Sequence, residues 1–156
     1  MEIKLRKSID DDLEIFFLNQ TDEEANYMAA FTPKDPFDRE AYFSKWTRLM
    51  GDDSVHMQTI IINDEVIGCV IKFEIEGDAE ITYAINKAHW GKGITTKALQ
   101  LFTELETKRP IFGRVAFDNI PSQRILEKAG FERIGEDKGF ANARGMEIEE
   151  FIYRLD

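Results

Sequence analysis

The run Trp90-Gly91-Lys92-Gly93-Ile94-Thr95-Thr96-Lys97 leads directly into apolar residues at helical spacing: Ile94, Ala98, Leu101, Phe102 and Leu105. Glycines let a backbone approach a ligand closely, and the first turn of a helix carries unpaired N–H groups and the positive end of the helix dipole. Together they form a site for an anion, and several such donors could anchor a pyrophosphate. Each charge-assisted hydrogen bond there is worth about 1.5–3 kcal/mol. Lys92 and Lys97 supply positive charge, and the Thr95 and Thr96 hydroxyls add donors. Two glycines are also what a tight strand-to-helix turn would use, with the lysines merely solvated. Two familiar phosphate loops are excluded by spacing. A P-loop needs Ser or Thr after its Gly-Lys pair and a glycine six positions before the lysine, where this chain has Gly93 and Asn86. A dinucleotide fingerprint needs a third glycine at the position of Thr96.

Composition narrows the partners. The 156 residues carry a formal net charge of -10, which argues against a nucleic-acid partner because that affinity rests on clustered Lys and Arg. A cationic small substrate is compatible with it. Hydrophobic residues at 43% and charged residues at 32% are the balance of a globular chain, with length for one domain spanning residues 1–156. Cys69 is the only cysteine and lies in the apolar run Val66-Ile67-Gly68-Cys69-Val70-Ile71, as core filler rather than a nucleophile. His56 and His89 have no Cys or His at ligand spacing, so no metal is expected. The chain shows neither a signal-like N-terminal run nor the roughly 20 apolar residues of a membrane span, so the expectation is a cytoplasmic protein with no membrane partner.

The elements that would position the loop follow from hydrophobic period. Residues 2–6 alternate as a half-buried strand, and Ser8 with Asp11 resembles a capping box for a helix burying Leu13, Phe16 and Phe17. Residues 20–37, with Pro33 and Pro36, read as a loop containing one short helical turn. A helix from Asp38 should bury Tyr42, Trp46 and Leu49 and stop at Gly51. Runs 55–62, 66–75 and 79–85 form a three-strand meander, and the helix from Ile94 follows. Residues 111–117 return to strand, and Pro121 opens a helix that buries Ile125 and Leu126 before Gly130. Final strands fall at 131–136 and 147–155, flanking a mobile-looking segment at 138–146. The order β-α-α-β-β-β-α-β-α-β-β predicts a mixed α/β domain with helices packed on a sheet.

Trp90-Gly91-Lys92-Gly93-Ile94-Thr95 resembles the acyl-CoA loop of GNAT N-acetyltransferases, whose pattern is Arg or Gln, two residues, Gly, one residue, then Gly or Ala. Downstream, Asp118-Asn119-Ile120-Pro121-Ser122-Gln123-Arg124-Ile125-Leu126-Glu127-Lys128-Ala129-Gly130-Phe131 is similar to that family's next motif, and closest to its Rim-type branch. The likeness is concentrated in 79–137 and follows the family's element order over nearly the whole chain. It implies a central, mostly antiparallel mixed sheet of about seven strands flanked by about four helices, with acetyl-CoA as co-substrate. Trp90 replaces the usual Arg or Gln, and Thr95 stands where Gly or Ala is usual. Where many members carry a general-acid tyrosine, this chain has Leu126.

The resemblance implies an enzyme moving an acetyl group from acetyl-CoA to a primary amine, a peptide N-terminus or a small amine, by direct attack. The cofactor would lie on Trp90, Gly91, Lys92, Gly93, Ile94, Thr95 and Thr96, with the backbone near Ala84 and Ile85 holding the carbonyl. Glu80 is the candidate base, acting through water, or else a solvated strand residue. Asn119 would contact the pantetheine arm, or else serve the turn. Ser122 would donate to the leaving sulfur, or else satisfy the helix start. Tyr27, Phe31, Phe37 and Trp46 could line an acceptor pocket, although aromatics are more often core. The alternative is a non-catalytic acyl-CoA-binding or regulatory domain. A homodimer would fit the implied fold, and nothing in the pattern requires it.

Overall fold

The computed structural model describes residues 2–156. The strands are β1 (Ile3–Lys7), β2 (His56–Ile62), β3 (Glu65–Ile75), β4 (Asp78–Ile85), β5 (Ile111–Ala116), β6 (Glu132–Ala141) and β7 (Met146–Leu155). They form one sheet in the order β1-β2-β3-β4-β5-β7-β6, antiparallel at every pairing except the central β4–β5. The helices are α1 (Leu13–Gln20), α2 (Glu23–Ala29), α3 (Arg39–Met50), α4 (Ile94–Leu105) and α5 (Ile120–Lys128).

Side-chain alternation assigns each face of the sheet to its own helices. On one face α4 and α5 bury Ile94, Ala98, Leu99, Phe102 and Leu126 against Ile60, Val70, Ile81 and Ile111. On the other, α1 and α3 bury Leu13, Phe16, Phe17 and Tyr42 against Met57, Cys69 and Ile71. Burial pushes the Cys69 thiol up to about 12, which keeps it protonated and inert. At the β2–β3 pair the register slips between Ile60 and Ile61, leaving Ile67 as an extra residue that resets which side chains face which layer. Gly68 follows it because a Cβ there would stand 2.1 Å from the Ala84 carbonyl oxygen.

Four expectations change. Residues 138–141 belong to β6, paired down to Ala141–Met146, because ladder hydrogen bonds need only backbone and tolerate a charged, glycine-bearing strand. Within 20–37 the turn is a full helix, α2, capped by Asp22, which accepts from the Ala25 amide at 2.8 Å. Ser8 does not cap α1. Its hydroxyl meets Thr59 at 2.7 Å, while Asp12 takes the Ile9 amide at 3.0 Å and a bidentate Arg6 at 2.7 and 2.8 Å. On α4 the buried stripe runs through Thr95 and Leu99, and Leu105 is 57% exposed. A stripe of period 3.6 can rotate by one residue without changing the sequence pattern much.

A split in the sheet beside a helix start

β4 and β5 are bonded only at Ala79–Ile111, Glu80–Phe112 and Ile81–Gly113, yet β4 continues to Ile85 and β5 to Ala116. The two parallel strands therefore diverge beyond Ile81 and open a wedge at the C-terminal end of β4. Asn86 donates to the Ile67 carbonyl at 2.8 Å, so ladder alternation gives the Ala84 amide to β3 and turns those of Tyr83 and Ile85 into the wedge. Of the two positions expected to hold a carbonyl, Ile85 thus faces the opening and Ala84 faces its neighbour strand.

The glycine loop closes the wedge at its end. Gly91 and Gly93 have φ of 76° and 74°, the left-handed region, and a Cβ on either would meet nothing within 4 Å. The loop thus offers open backbone. Among the described residues no amide from Gly91 to Thr96 donates to a protein acceptor, and helical bonding begins with Lys97 to the Gly93 carbonyl at 3.2 Å. Ile94 is buried and anchors the turn, whereas Thr95 lies on the buried stripe of α4. Trp90 does the work of a brace: its indole N–H reaches the Ile85 carbonyl at 3.3 Å and ties the loop to the strand end. Lys92 is exposed, as is the first-turn side of the loop around it.

α5 forms the second wall. Asn119 is its N-cap: its Oδ1 accepts from the Ser122 amide at 3.3 Å, and its Nδ2 donates to the Met28 carbonyl at 3.2 Å. Its amide group is therefore engaged in joining α2 to α5. The Ser122 hydroxyl lies 2.7 Å from the hydroxyl of Tyr83, a residue the sequence reading passed over. Tyr83 shares strand parity with buried Ile81 and Ile85 and so reads as core; its polar tip gains meaning only from α5 packing beside it. Leu126, one turn past Ser122, is 1% exposed and packs over Gly113, where a Cβ would approach its Cδ2 to 2.9 Å.

On the opposite face Glu80 is 7% exposed, beneath Arg114, whose Nε donates to it at 3.3 Å. Arg114 also reaches Glu150 at 3.0 Å and Asp137 at 3.6 Å, so one guanidinium serves three carboxylates. Burial raises the Glu80 pKa above the ordinary carboxylate value, and Arg114 opposes the shift. Nearby, α2 ends at Ala30, fully buried, with φ 64° and ψ -56°, and the Phe31 amide bonds back to the Ala29 carbonyl at 2.7 Å. This γ-turn is a strained conformation for a non-glycine residue. The β6–β7 turn holds it: Ala143 donates to the Ala30 carbonyl at 3.1 Å, and Arg144 donates to Tyr27 O at 2.7 Å while clamping Asp118 through two bonds of 2.9 Å.

Two hollows flank this face. One, about 390 Å3, is lined by Asn19, Asp22, Ala25, Ile85 and Lys87 and leads to the β4 end. Another, about 540 Å3, is lined by Glu23, Glu24, Tyr27, Pro36 and Phe37. Of the four aromatics expected in a pocket, Tyr27 and Phe37 line the second, Phe31 lies over Gly139, and Trp46 packs beside Tyr42 in the α3 core. Among the described residues no group of three or more His, Cys, Asp or Glu converges as a metal site, and no helix is long and apolar enough to cross a membrane.

Comparison with known proteins agrees with this geometry. The chain is 34% identical over 100 residues to the protein named "Uncharacterized N-acetyltransferase p20" from Bacillus licheniformis, covering 59% of this chain and 56% of that one. It is 40% identical over 98 residues to "Probable N-acetyltransferase YjcK" from Bacillus subtilis (strain 168), covering 56% and 54%. The matches span about half the length of these curated relatives. In fold the chain is similar to RimL, a ribosomal L7/L12 alpha-N-protein acetyltransferase solved with coenzyme A, with a TM-score of 0.83 at 19% identity over 98% of this chain and 93% of that one. The acetyltransferase (GNAT) domain profile matches residues 2–132. Because that match covers well over half of the residues and includes both the wedge and the glycine loop, the chain belongs to the GNAT acetyltransferase family.

Proposed function

We propose that this chain is an N-acetyltransferase that takes an acetyl group from acetyl-CoA and transfers it to a primary amine, a peptide N-terminus or a small amine, in a ternary complex. The observation that carries the reading is the row of unbonded amides from Gly91 to Thr96 opening onto the β4–β5 wedge. The residues fit coenzyme A: a diphosphate matches the amides and the helix start, and the wedge admits an extended arm between Ile85 and α5. Bound there, acetyl-CoA supplies an activated thioester and no covalent enzyme intermediate is needed.

The chain's own groups divide the remaining work. The Ile85 amide is placed to hydrogen-bond the acyl carbonyl oxygen and hold the charge that builds on it. Holding acyl group and amine in one wedge turns a bimolecular encounter into a positioned one. Glu80, on the acceptor face, takes the ammonium proton through water, and Arg114 favours its ionised form against the burial that raises its pKa. Ser122, at the mouth of α5, donates toward the leaving sulfur. The hollow containing Asp22 and Ile85 gives the amine a route to the wedge.

Coenzyme A titrated calorimetrically into the protein should bind, and acetyl-CoA with a mixed panel of peptide N-termini and polyamines should release free thiol faster than hydrolysis. Binding without turnover on any acceptor would favour a non-catalytic acyl-CoA-binding domain, a reading supported by apolar Leu126 in place of a tyrosine. Absence of binding at millimolar coenzyme A would remove both.

A further inference from the structure

We infer that Tyr83 is a positioning residue for thiol departure: its phenol donates to Ser122 Oγ and so leaves the serine's own hydrogen directed at the sulfur. The inference rests on the proposed acetyl transfer. Three features of the geometry lead to it. First, Tyr83 lies beyond Ile81–Gly113, the last bonded pair of β4 and β5, so it stands within the wedge on the same strand edge as the Ile85 amide. Second, its hydroxyl is 2.7 Å from Ser122 Oγ and 3.3 Å from the Ser122 carbonyl. Either hydroxyl can donate across the shorter contact, and with that carbonyl already accepting the helical bond of α5 the proposed arrangement has the phenol donate and Oγ accept. Third, among the described residues the Ser122 hydroxyl has no side-chain or backbone partner other than Tyr83, so its hydrogen is free to turn outward.

The family's usual acid position is closed here. Leu126 sits one helical turn beyond Ser122, fully buried against Gly113, and offers no proton. A phenol reaches Ser122 instead from β4, at Tyr83. Burial pushes the Tyr83 phenol up to about 12, with Ser122 opposing, so it remains a donor throughout the pH range in which an amine is deprotonated and attacks. In the transfer, the amine nitrogen forms its bond to the acyl carbon and the carbon–sulfur bond breaks with its electron pair on sulfur. The departing sulfur accepts a hydrogen bond from Ser122, whose proton stays on the serine oxygen, and Tyr83 donating to that oxygen keeps the serine hydrogen aimed at sulfur. The nitrogen gives up its ammonium proton to Glu80 through water before attack and a second proton on collapse to the amide, and this second proton passes through water to the thiolate.

Two measurements test this, one of them without turnover. The first is an ultraviolet titration of the coenzyme A thiol in its binary complex with the protein. The wild-type complex should show a thiol pKa below that of free coenzyme A, with Tyr83→Phe and Ser122→Ala each raising it and the double variant raising it no further than Ser122→Ala. The second is steady-state kinetics. Tyr83→Phe should lower kcat about tenfold while leaving KM for acetyl-CoA unchanged, and adding it to Ser122→Ala should cost less than about threefold. A bound thiol that titrates like free coenzyme A, or losses that multiply in the double variant, would overturn the inference while leaving acetyl transfer intact. If the wild-type protein neither binds coenzyme A nor turns over, it is the transferase reading itself that fails. Melting temperatures of the variants identify any loss due to unfolding.

Discussion

The two faces of the sheet carry their polar groups in different ways. On the α4–α5 face the proposed cofactor site is a row of main-chain amides, set by two left-handed glycines and a helix start above a mainly apolar core. On the α1–α2–α3 face the polar groups are side chains in networks: Arg6, Asp12, Thr59 and Ser8 at one end, Glu80, Arg114, Glu150 and Asp137 at the other. A backbone site depends on conformation and leaves a compact mark in the chain. The side-chain networks draw on β1, β2, β4, β5, β6 and β7 and leave none.

The difference can be sharpened by substitution. The largest effect should fall on the network face in stability: Asp12→Ala strands Arg6, the Ile9 amide and the Thr59 hydroxyl. We expect a loss of about 3 kcal/mol in urea unfolding, at the low end for a buried pair because Arg6 is 38% exposed. Burial alone would raise the Asp12 pKa, but Arg6, Ile9 and Thr59 together hold it below 3.8. Its folded value is thus lower than its unfolded one, so this stabilisation is complete above about pH 4 and is lost as pH falls through the folded value.

Next comes activity on the same face. Glu80→Gln should lower kcat about 100-fold with coenzyme A affinity unchanged, and equal turnover in the variant would remove Glu80 as base. Gly93→Val, on the backbone face, should weaken coenzyme A binding about tenfold by calorimetry, because a β-branched residue resists φ of 74°. Arg114→Met should move the acid limb of the kcat/KM profile to higher pH. Burial raises the Glu80 pKa and Arg114 lowers it, so removing the arginine leaves the upward shift unopposed. A limb that stays in place would separate Arg114 from Glu80. The smallest effect should be Ala30→Gly, within about 0.5 kcal/mol by thermal unfolding, since relief of a positive φ offsets the loss of one buried methyl.

How much of this was legible in the chain varies with how local its cause is. Trp90 to Thr96 declared the loop because glycine spacing and the change to helical period occupy consecutive residues. Pro121 and Gly130 bracket α5 in the same way. The β6 extension leaves no local mark because Lys138 and Gly139 lack strand character, and their pairing is decided by β7 across the turn. Ser8 has the residue type of a cap, but Asp12 takes the Ile9 amide and Ser8 turns to Thr59.

The chain by itself determined the element order, the apolar faces and the glycine-rich strand-to-helix loop, because each follows from periodicity or backbone freedom within about ten residues. Only the tertiary structure decided that β4 and β5 part after Ile81, that Tyr83 meets Ser122, and that Arg114 lies over Glu80. Those relations join residues some thirty or more positions apart. They are settled by how two helical layers and a twisted sheet pack, a collective balance that no local pattern records.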